Sequence, residues 1–336
     1  MGTLRSIGLS LKLHRFEYGV ALLVAFGLAV WAWSIVFRSD LSAVSASCLA
    51  DWRKLGPGAD ASCTRAMNAW SGPVVNESPV LTAALAYLPF AAGLLAGAPI
   101  VAREIETGTA RTAWSLYTRR SRWLAWAAAP VLAGLLALMA AVGLGSVLLE
   151  ADRVAWGYSD VEDLGRYGFV LVVDAAFGFA VALADGALLG RSLPALVFAT
   201  VIVVALVGAS GQLHDAWQRS LEPTVVSEGS GPAARDLSPG AILTQPAWRA
   251  PDGRQVAPSV ALEAAHAAGV PRPAPGDDAD SAGLAWLEAN GYTALGLGIT
   301  RETALSWQWI ESAGMGVAAL LFAGIAMFAV VRRRPT

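Results

Sequence analysis

The sequence predicts an all-α integral membrane protein. It has six transmembrane helices, an amphipathic N-terminal interfacial helix, and an extracellular insertion between the fifth and sixth spans. Two observations carry this prediction. Six apolar stretches, at residues 19–37, 79–101, 124–149, 167–189, 193–211 and 309–331, match the ~20 helical residues needed to cross a hydrocarbon core of about 30 Å. Only 15% of residues are charged and 55% are hydrophobic, with mean hydropathy +0.52; a soluble domain carries about a quarter charged residues.

Residues 1–18 precede the first span. Leu4, Ile7, Leu11 and the aliphatic stem of Lys12 recur at helical spacing, which predicts an amphipathic helix over 4–17 lying at the inner interface. The alternative is a cytoplasmic extension of the first span. No small-residue cleavage site is present and the apolar run is a full span long, so the segment does not read as a signal peptide. The first five spans and their loops fill 19–211. The outer loop 38–78 holds the chain's two cysteines, Cys48 and Cys63, with fourteen residues between them. On an oxidising face such a pair reads as a disulfide, worth about 3 kcal/mol in the chain-entropy view; two free thiols are the alternative. No His or third Cys lies nearby to make a metal site.

Charge orients the spans. The positive-inside rule counts Lys and Arg near span ends. One side carries Arg5, Lys12, Arg15, Arg103, Arg111, Arg119, Arg120, Arg122, Arg191, Arg332, Arg333 and Arg334, against the acids Glu17, Glu104 and Glu106. The other side carries Glu150, Asp152, Asp160, Glu162 and Asp163, and a long segment, 212–308, in which acids outnumber arginines. Both termini are therefore expected in the cytoplasm of a bacterial plasma membrane. The arginines read as anchors beside anionic lipid, not as a nucleic-acid surface. Segment 212–308 is rich in Pro, Gly, Ser and Asp through its first two-thirds, which reads as irregular loop. Short helices are expected at 259–268 and 281–290, each stopped by a glycine. His214 and His266 read as lone surface histidines. Residues 309–336 form the sixth span and a basic tail.

The chain has no nucleotide site of its own. A Walker A loop needs lysine followed by Ser or Thr, and Leu follows both Lys12 and Lys54. No metal or cofactor is expected on this chain, and any ATP and Mg belong to a partner. An intramembrane protease is one enzyme alternative, because Gly208-Ala209-Ser210-Gly211 resembles the Gly-x-Ser-Gly of rhomboid proteases. A serine nucleophile needs a histidine base within reach, and the sixth span has none.

Residues 98–123 read APIVAREIETGTARTAWSLYTRRSRW. Gly97 and Pro99 permit a bend near the second span's exit. Gly108 allows a tight turn, and Thr109 can cap the helix that follows. A short helix lying along the membrane is expected. Thr118 or Ser121 would start the third span, with Trp123 and Trp126 as interfacial anchors. This stretch resembles the inner loop of actinobacterial ABC-2 type export permeases, in which a Glu-bearing segment leaves the second span, Gly-Thr follows, and a Thr-Arg-x-Arg-Trp element leads into the third. Residues 306–334, SWQWIESAGMGVAALLFAGIAMFAVVRRR, resemble that family's approach to its last span and its basic tail. Where the family has Tyr-Gln-Pro before that span, Thr300-Arg301-Glu302 stands here.

The resemblance implies the membrane subunit of an ATP-driven exporter of a hydrophobic or amphipathic substrate. It would work as a homodimer or heterodimer with separate ABC ATPase subunits, and the loop 102–123 would dock on them. Arg103, Glu104, Glu106, Gly108, Thr109 and Arg111 would form the coupling element. Intramembrane acids usually face the bundle interior or water. Asp174 in the fourth span and Glu311 near the outer mouth of the sixth are candidates for the substrate route, or else for interhelical hydrogen bonds. Asp185 is expected to pair with Arg191. The runner-up function is a membrane sensor or scaffold whose exterior domain binds a ligand and signals inward.

Overall fold

The computed structural model describes residues 15–38, 44–45, 47–48, 60–115, 117, 119–155, 167–229, 241–272 and 280–333. The amphipathic helix expected over 4–17 lies outside these residues except at its end. There Arg15, Phe16 and Glu17 already belong to helix α1, Arg15–Arg38. The other bundle helices are α2 (Ala61–Glu106), α3 (Ala110–Ser115), α4 (Arg120–Ala155), α5 (Val170–Leu189), α6 (Ser192–Ser220) and α9 (Arg301–Arg332). Between α6 and α9 lie strands β1 (Thr224–Gly229), β2 (Ile242–Arg249), β3 (Gln255–Val256) and β4 (Thr293–Ile299), with helices α7 (Pro258–Ala267) and α8 (Ser281–Ala289). Five stretches among the described residues are long and apolar enough to cross a membrane: Ala83–Glu106, Arg120–Leu148, Val170–Leu189, Ser192–Ser220 and Arg301–Arg332.

Helix α5 is the centre of the bundle. Its mean hydropathy is high and its burial is nearly complete, on every side. A helix apolar all round belongs in a core or a membrane. It packs most closely on α2, and glycine makes that possible. A Cβ at Gly178 would stand 2.7 Å from the Phe90 carbonyl oxygen, and one at Gly186 would stand 2.8 Å from that of Ala98. Cβ atoms at Gly93 and Gly97 would press closer still on the carbonyl oxygens of Ala175 and Phe179. Two membrane helices associate by such small-residue contact because lipid offers no hydrophobic drive to hold them together. The Phe177 ring lies edge-on between Phe90 of α2 and Phe322 of α9, with centroids 6.3 and 6.2 Å away. Helix α1 joins through α4, where Trp33 donates its indole N–H to the Ala141 carbonyl at 3.1 Å.

Several elements differ from expectation, for physical reasons. Helix α2 begins at Ala61, so much of the expected loop 38–78 is helical; Asp60 caps it, accepting from the Ser62 amide at 3.0 Å. Hydropathy marks where a helix meets lipid and is blind to its polar continuation. Gly97 and Pro99, which permit a bend, lie within the continuous helix α2, where Gly97 serves close contact with α5. Helices α6 and α9 likewise extend beyond their apolar stretches, to Ser220 and back to Arg301. Thr300, at the position of the resembled family's Tyr-Gln-Pro element, caps α9 by accepting from the Thr303 amide. Trp123 is buried against Trp114 and is not an interfacial anchor, whereas Trp126 is exposed.

The fold is mostly helical but not all-α. The segment expected to be irregular holds a four-stranded antiparallel sheet in the order β1-β4-β2-β3. The two expected helices form close to their expected bounds. Trp248, Ala261, Leu287 and Ala294 make the core between α7, α8 and the sheet, and Arg249 pairs with Glu228 across β4. His266 is not a lone surface group: Asp280, which caps α8, lies 2.9 Å from its Nε2, and the Val270 carbonyl faces Nδ1.

The glycine contacts give a direct test. Gly97→Val forces a branched side chain against the Phe179 carbonyl, and overpacking of this kind costs about 1–3 kcal/mol or more. The expected result is a lower Tm and a broadened size-exclusion peak in detergent. Gly208→Ala, at a site with nothing within 4 Å, should leave both unchanged.

Candidate functional site: the basic end of the bundle and the buried acids

At one end of the bundle α2, α5 and α9 terminate and α4 and α6 begin. This end carries the arginine-rich loop. After Glu106 the chain turns through Thr107, Gly108 and Thr109 into the six-residue helix α3. Gly108 takes a left-handed conformation, φ +75°, which glycine adopts without a Cβ penalty. The Thr107 amide donates to the Arg103 carbonyl at 2.9 Å, and its hydroxyl donates to the same oxygen at 2.8 Å. Thr109 does not cap α3 with its side chain as expected. Its hydroxyl is turned back toward α2, hydrogen-bonded to the Glu104 carboxylate and 2.9 Å from the Thr107 hydroxyl. The Thr109 carbonyl receives the Ala113 amide instead. The turn is thus locked onto the end of α2, and Gly108, Thr109 and Arg111 remain exposed beside Glu106.

Glu106 reaches another helix. Its Oε2 accepts from both the amide and the hydroxyl of Ser192, at 3.1 and 3.0 Å. Helix α6 starts there, where first-turn amides lack intrahelical acceptors and the dipole favours a carboxylate. Sequence spacing gave no hint of this contact, since 86 residues separate the pair. Of the six expected coupling residues, Glu104 and Thr109 are joined directly, Glu106 points to α6, and Arg103 lends its carbonyl to the turn.

Asp174 of α5 and Glu311 of α9 lie in the half of the bundle toward the other end, where the sheet lies. Asp174 is 1% exposed. Along the sequence it falls between Phe169, which stacks on Trp309 of α9 at 4.3 Å, and Phe177, which meets Phe322. Glu311 accepts a hydrogen bond from Ser210 of α6 at 2.9 Å. The serine of the rhomboid-like motif therefore faces a carboxylate, not a histidine base. His214 instead sits half-buried, its Nε2 2.8 Å from the Gln218 side chain and its ring 5.2 Å from that of Trp307. Asp185 does not pair with Arg191; its Oδ2 is buried with no hydrogen-bond partner among the described residues. Among the described residues no cluster of three metal-ligating side chains occurs.

Residues 20–213, more than half the chain and all of α2 to α5, match the family described as ABC-2 membrane transporter related. The chain belongs to that family. It is a multi-pass membrane protein and a transport permease subunit. The match stops at residue 213, so the sheet domain and α9 of this ABC-2 permease stand outside it. No curated protein and no solved structure matches the chain.

The Glu106 contact in the permease is testable without a substrate. Glu106→Ala removes the acceptor for two donors at the start of α6. Amide hydrogen exchange at 192–195 should quicken, while the glycine-packed middle of α5 stays protected.

Proposed function

We propose that the chain is the membrane subunit of an ATP-driven ABC exporter, moving a hydrophobic or amphipathic substrate (a drug, antibiotic, lipid or peptide) out of the cell. Separate ABC ATPase subunits would supply the nucleotide site, ATP and Mg, and two permease chains, alike or related, would form the pore. The family match over 20–213 carries the reading. The locked turn after α2 supports it, since a rigid, charged protrusion at a helix end is what a moving partner can push against. In this reading Arg103, Glu104, Glu106, Gly108, Thr109 and Arg111 form the docking and coupling element. A carboxylate beside basic groups at such a junction makes charge-assisted hydrogen bonds, stronger than neutral ones.

The remaining assignments follow from this orientation. The basic end faces the cytoplasm, with both termini, and the sheet domain lies outside. Helix α1, 24 residues long, is the sixth span. Cys48 and Cys63, with Cα atoms 5.3 Å apart and sulfur atoms in bonding distance, form a disulfide in the outer loop. It would tie the start of α2 to the segment after α1. Asp174 and Glu311 contribute to the substrate route: both are polar groups in the half of the bundle toward the sheet domain, where an uncompensated charge in lipid would be costly.

Affinity purification of the tagged chain from its native membrane tests the reading. A stoichiometric Walker-type ATPase is expected to co-purify and to be lost in Glu104→Arg, with membrane expression unchanged. A chain that purifies without an ATPase under conditions that preserve complexes would shift the function to a sensor or scaffold. Asp174→Asn is expected to reduce export at normal expression; failure of this variant to reach the membrane would make Asp174 a packing residue. A thiol-reactive polyethylene glycol should label Cys48 and Cys63 only after reduction.

A further inference from the structure

Helices α5 and α9 run in the same direction and end side by side at the basic end. The last carbonyls of each have no intrahelical donors. Two arginines supply them. Arg333, just past α9, donates from Nη1 to the Ala187 and Leu188 carbonyls of α5 at 2.7 and 3.0 Å. Arg120, the first residue of α4, donates from Nη1 to the Arg333 carbonyl and lies 3.5 Å from that of Val331. Cations are favoured at helix C-termini, where the dipole is negative. The conformation of α5's end makes room for this: Gly190 is left-handed, φ +67°, and a Cβ there would stand 2.6 Å from Arg333 Nη2.

The same Arg120 guanidinium covers the face of Trp114, 4.9 Å from its centroid. Trp114 is the buried anchor of α3 and meets Trp123 edge-on at 6.0 Å. Its indole N–H has no hydrogen-bond partner among the described residues, so packing and the cation above it hold the ring. A continuous line of contacts therefore runs from α3 through Trp114 and Arg120 to the end of α9, then through Arg333 to the end of α5. Five donors in a planar fork let one arginine stack and cap together, which lysine cannot do.

We infer that Arg120 and Arg333 are positioning residues that carry displacement of α3 to the ends of α9 and α5, a role that rests on the exporter reading. Movement of α3 takes the Trp114 ring with it and tilts or withdraws the Arg120 fork. The α9 carbonyls then lose their donors, and Arg333 is freed to leave α5. The central helix is thereby addressed from its end while its glycine contacts with α2 stay closed.

Deuterium exchange read by mass spectrometry tests this in two arms. In the purified chain alone, Arg120→Ala should speed exchange of the amides at 329–333 about tenfold, as expected for loss of one or two hydrogen bonds to a charged group. Arg120→Lys should do the same in part. Trp114→Leu, which leaves every α9 donor in place, should also quicken 329–333 and 187–190. If Arg120→Ala alters α9 while Trp114→Leu does not, Arg120 is a helix cap only and the relay is overturned. In the complex with the co-purified ATPase, a non-hydrolysable ATP analogue should change exchange at 104–115, 187–190 and 329–333 in the wild type. In Arg120→Ala with ATPase retained it should change 104–115 alone. A wild-type response in that variant refutes the relay. Absence of any ATPase refutes the exporter reading instead, and the first arm then decides the relay.

Discussion

The close approach of α2 and α5 governs this architecture. Gly93 and Gly97 on one helix and Gly178 and Gly186 on the other let carbonyl oxygens of each press where side chains would stand. The contact runs along most of the apolar length of both helices, so their relative position is set by backbone geometry and not by rotamers. Small-residue packing is the principal attraction open to helices in lipid, and a few added methyl groups would abolish it. Phe177 then sits in a slot whose walls come from α2 and α9, which aligns the third helix with the first two.

Around this pair the two ends are built differently. At the basic end helix termini are joined by charge-assisted hydrogen bonds: Glu106 at the start of α6 and Arg333 and Arg120 at the ends of α5 and α9. Each satisfies backbone groups a helix end otherwise leaves unpaired. At the sheet end α6 and α9 are bridged by long side chains more than by close backbone approach. Ser210 meets Glu311, and Trp217 meets Trp307 with centroids 5.2 Å apart. Side-chain bridges of this kind can be exchanged by rotamer changes, whereas the α2–α5 contact cannot.

Five of the six expected spans were legible in the sequence because hydropathy and length are local properties. The loop after the second span and the family resemblance were legible for the same reason. Helix ends were not: the 61–82 stretch of α2 is too polar to register as a span, and the α6 extension beyond Gly211 looks like exterior loop. The sheet was missed because its strands are short and set among glycines and prolines; Pro246 even lies within β2, and the partners of the central strand β4 are far away in sequence, as with Thr224 and Gly298 or Arg249 and Thr293. Glu106 was assigned to the coupling loop on resemblance, yet its hydrogen-bond partner Ser192 and the capping role of Arg333 depend on which helices end together. No spacing rule contains that. Histidine was misjudged twice for a related reason: a lone His in sequence acquires its neighbours, Asp280 or Trp307, only through the fold.

Burial places the cost of movement. Within the apolar stretches 83% of α5 is buried, against 17% of α6 and of α9. Removing α5 from its neighbours would strip dispersion contacts from every side at once. Moving α6 or α9 forfeits one narrow face each and exchanges the remainder between equivalent apolar surroundings, which in lipid is nearly neutral. A conformational change in this bundle is therefore least costly when α2 and α5 stay together and α6 and α9 swing about them. Polar contacts constrain that motion at both ends. At the sheet end Ser210 meets Glu311 and β1 pairs with β4 directly beyond the two helices, and at the basic end Arg120 and Arg333 join α9 to α4 and α5. Because β1 and β4 tie the ends of α6 and α9 together there, with Leu221 packed on Ile299 and Ala304 at the sheet end, the swing the packing resists least is one in which α6 and α9 move as a pair with the sheet domain.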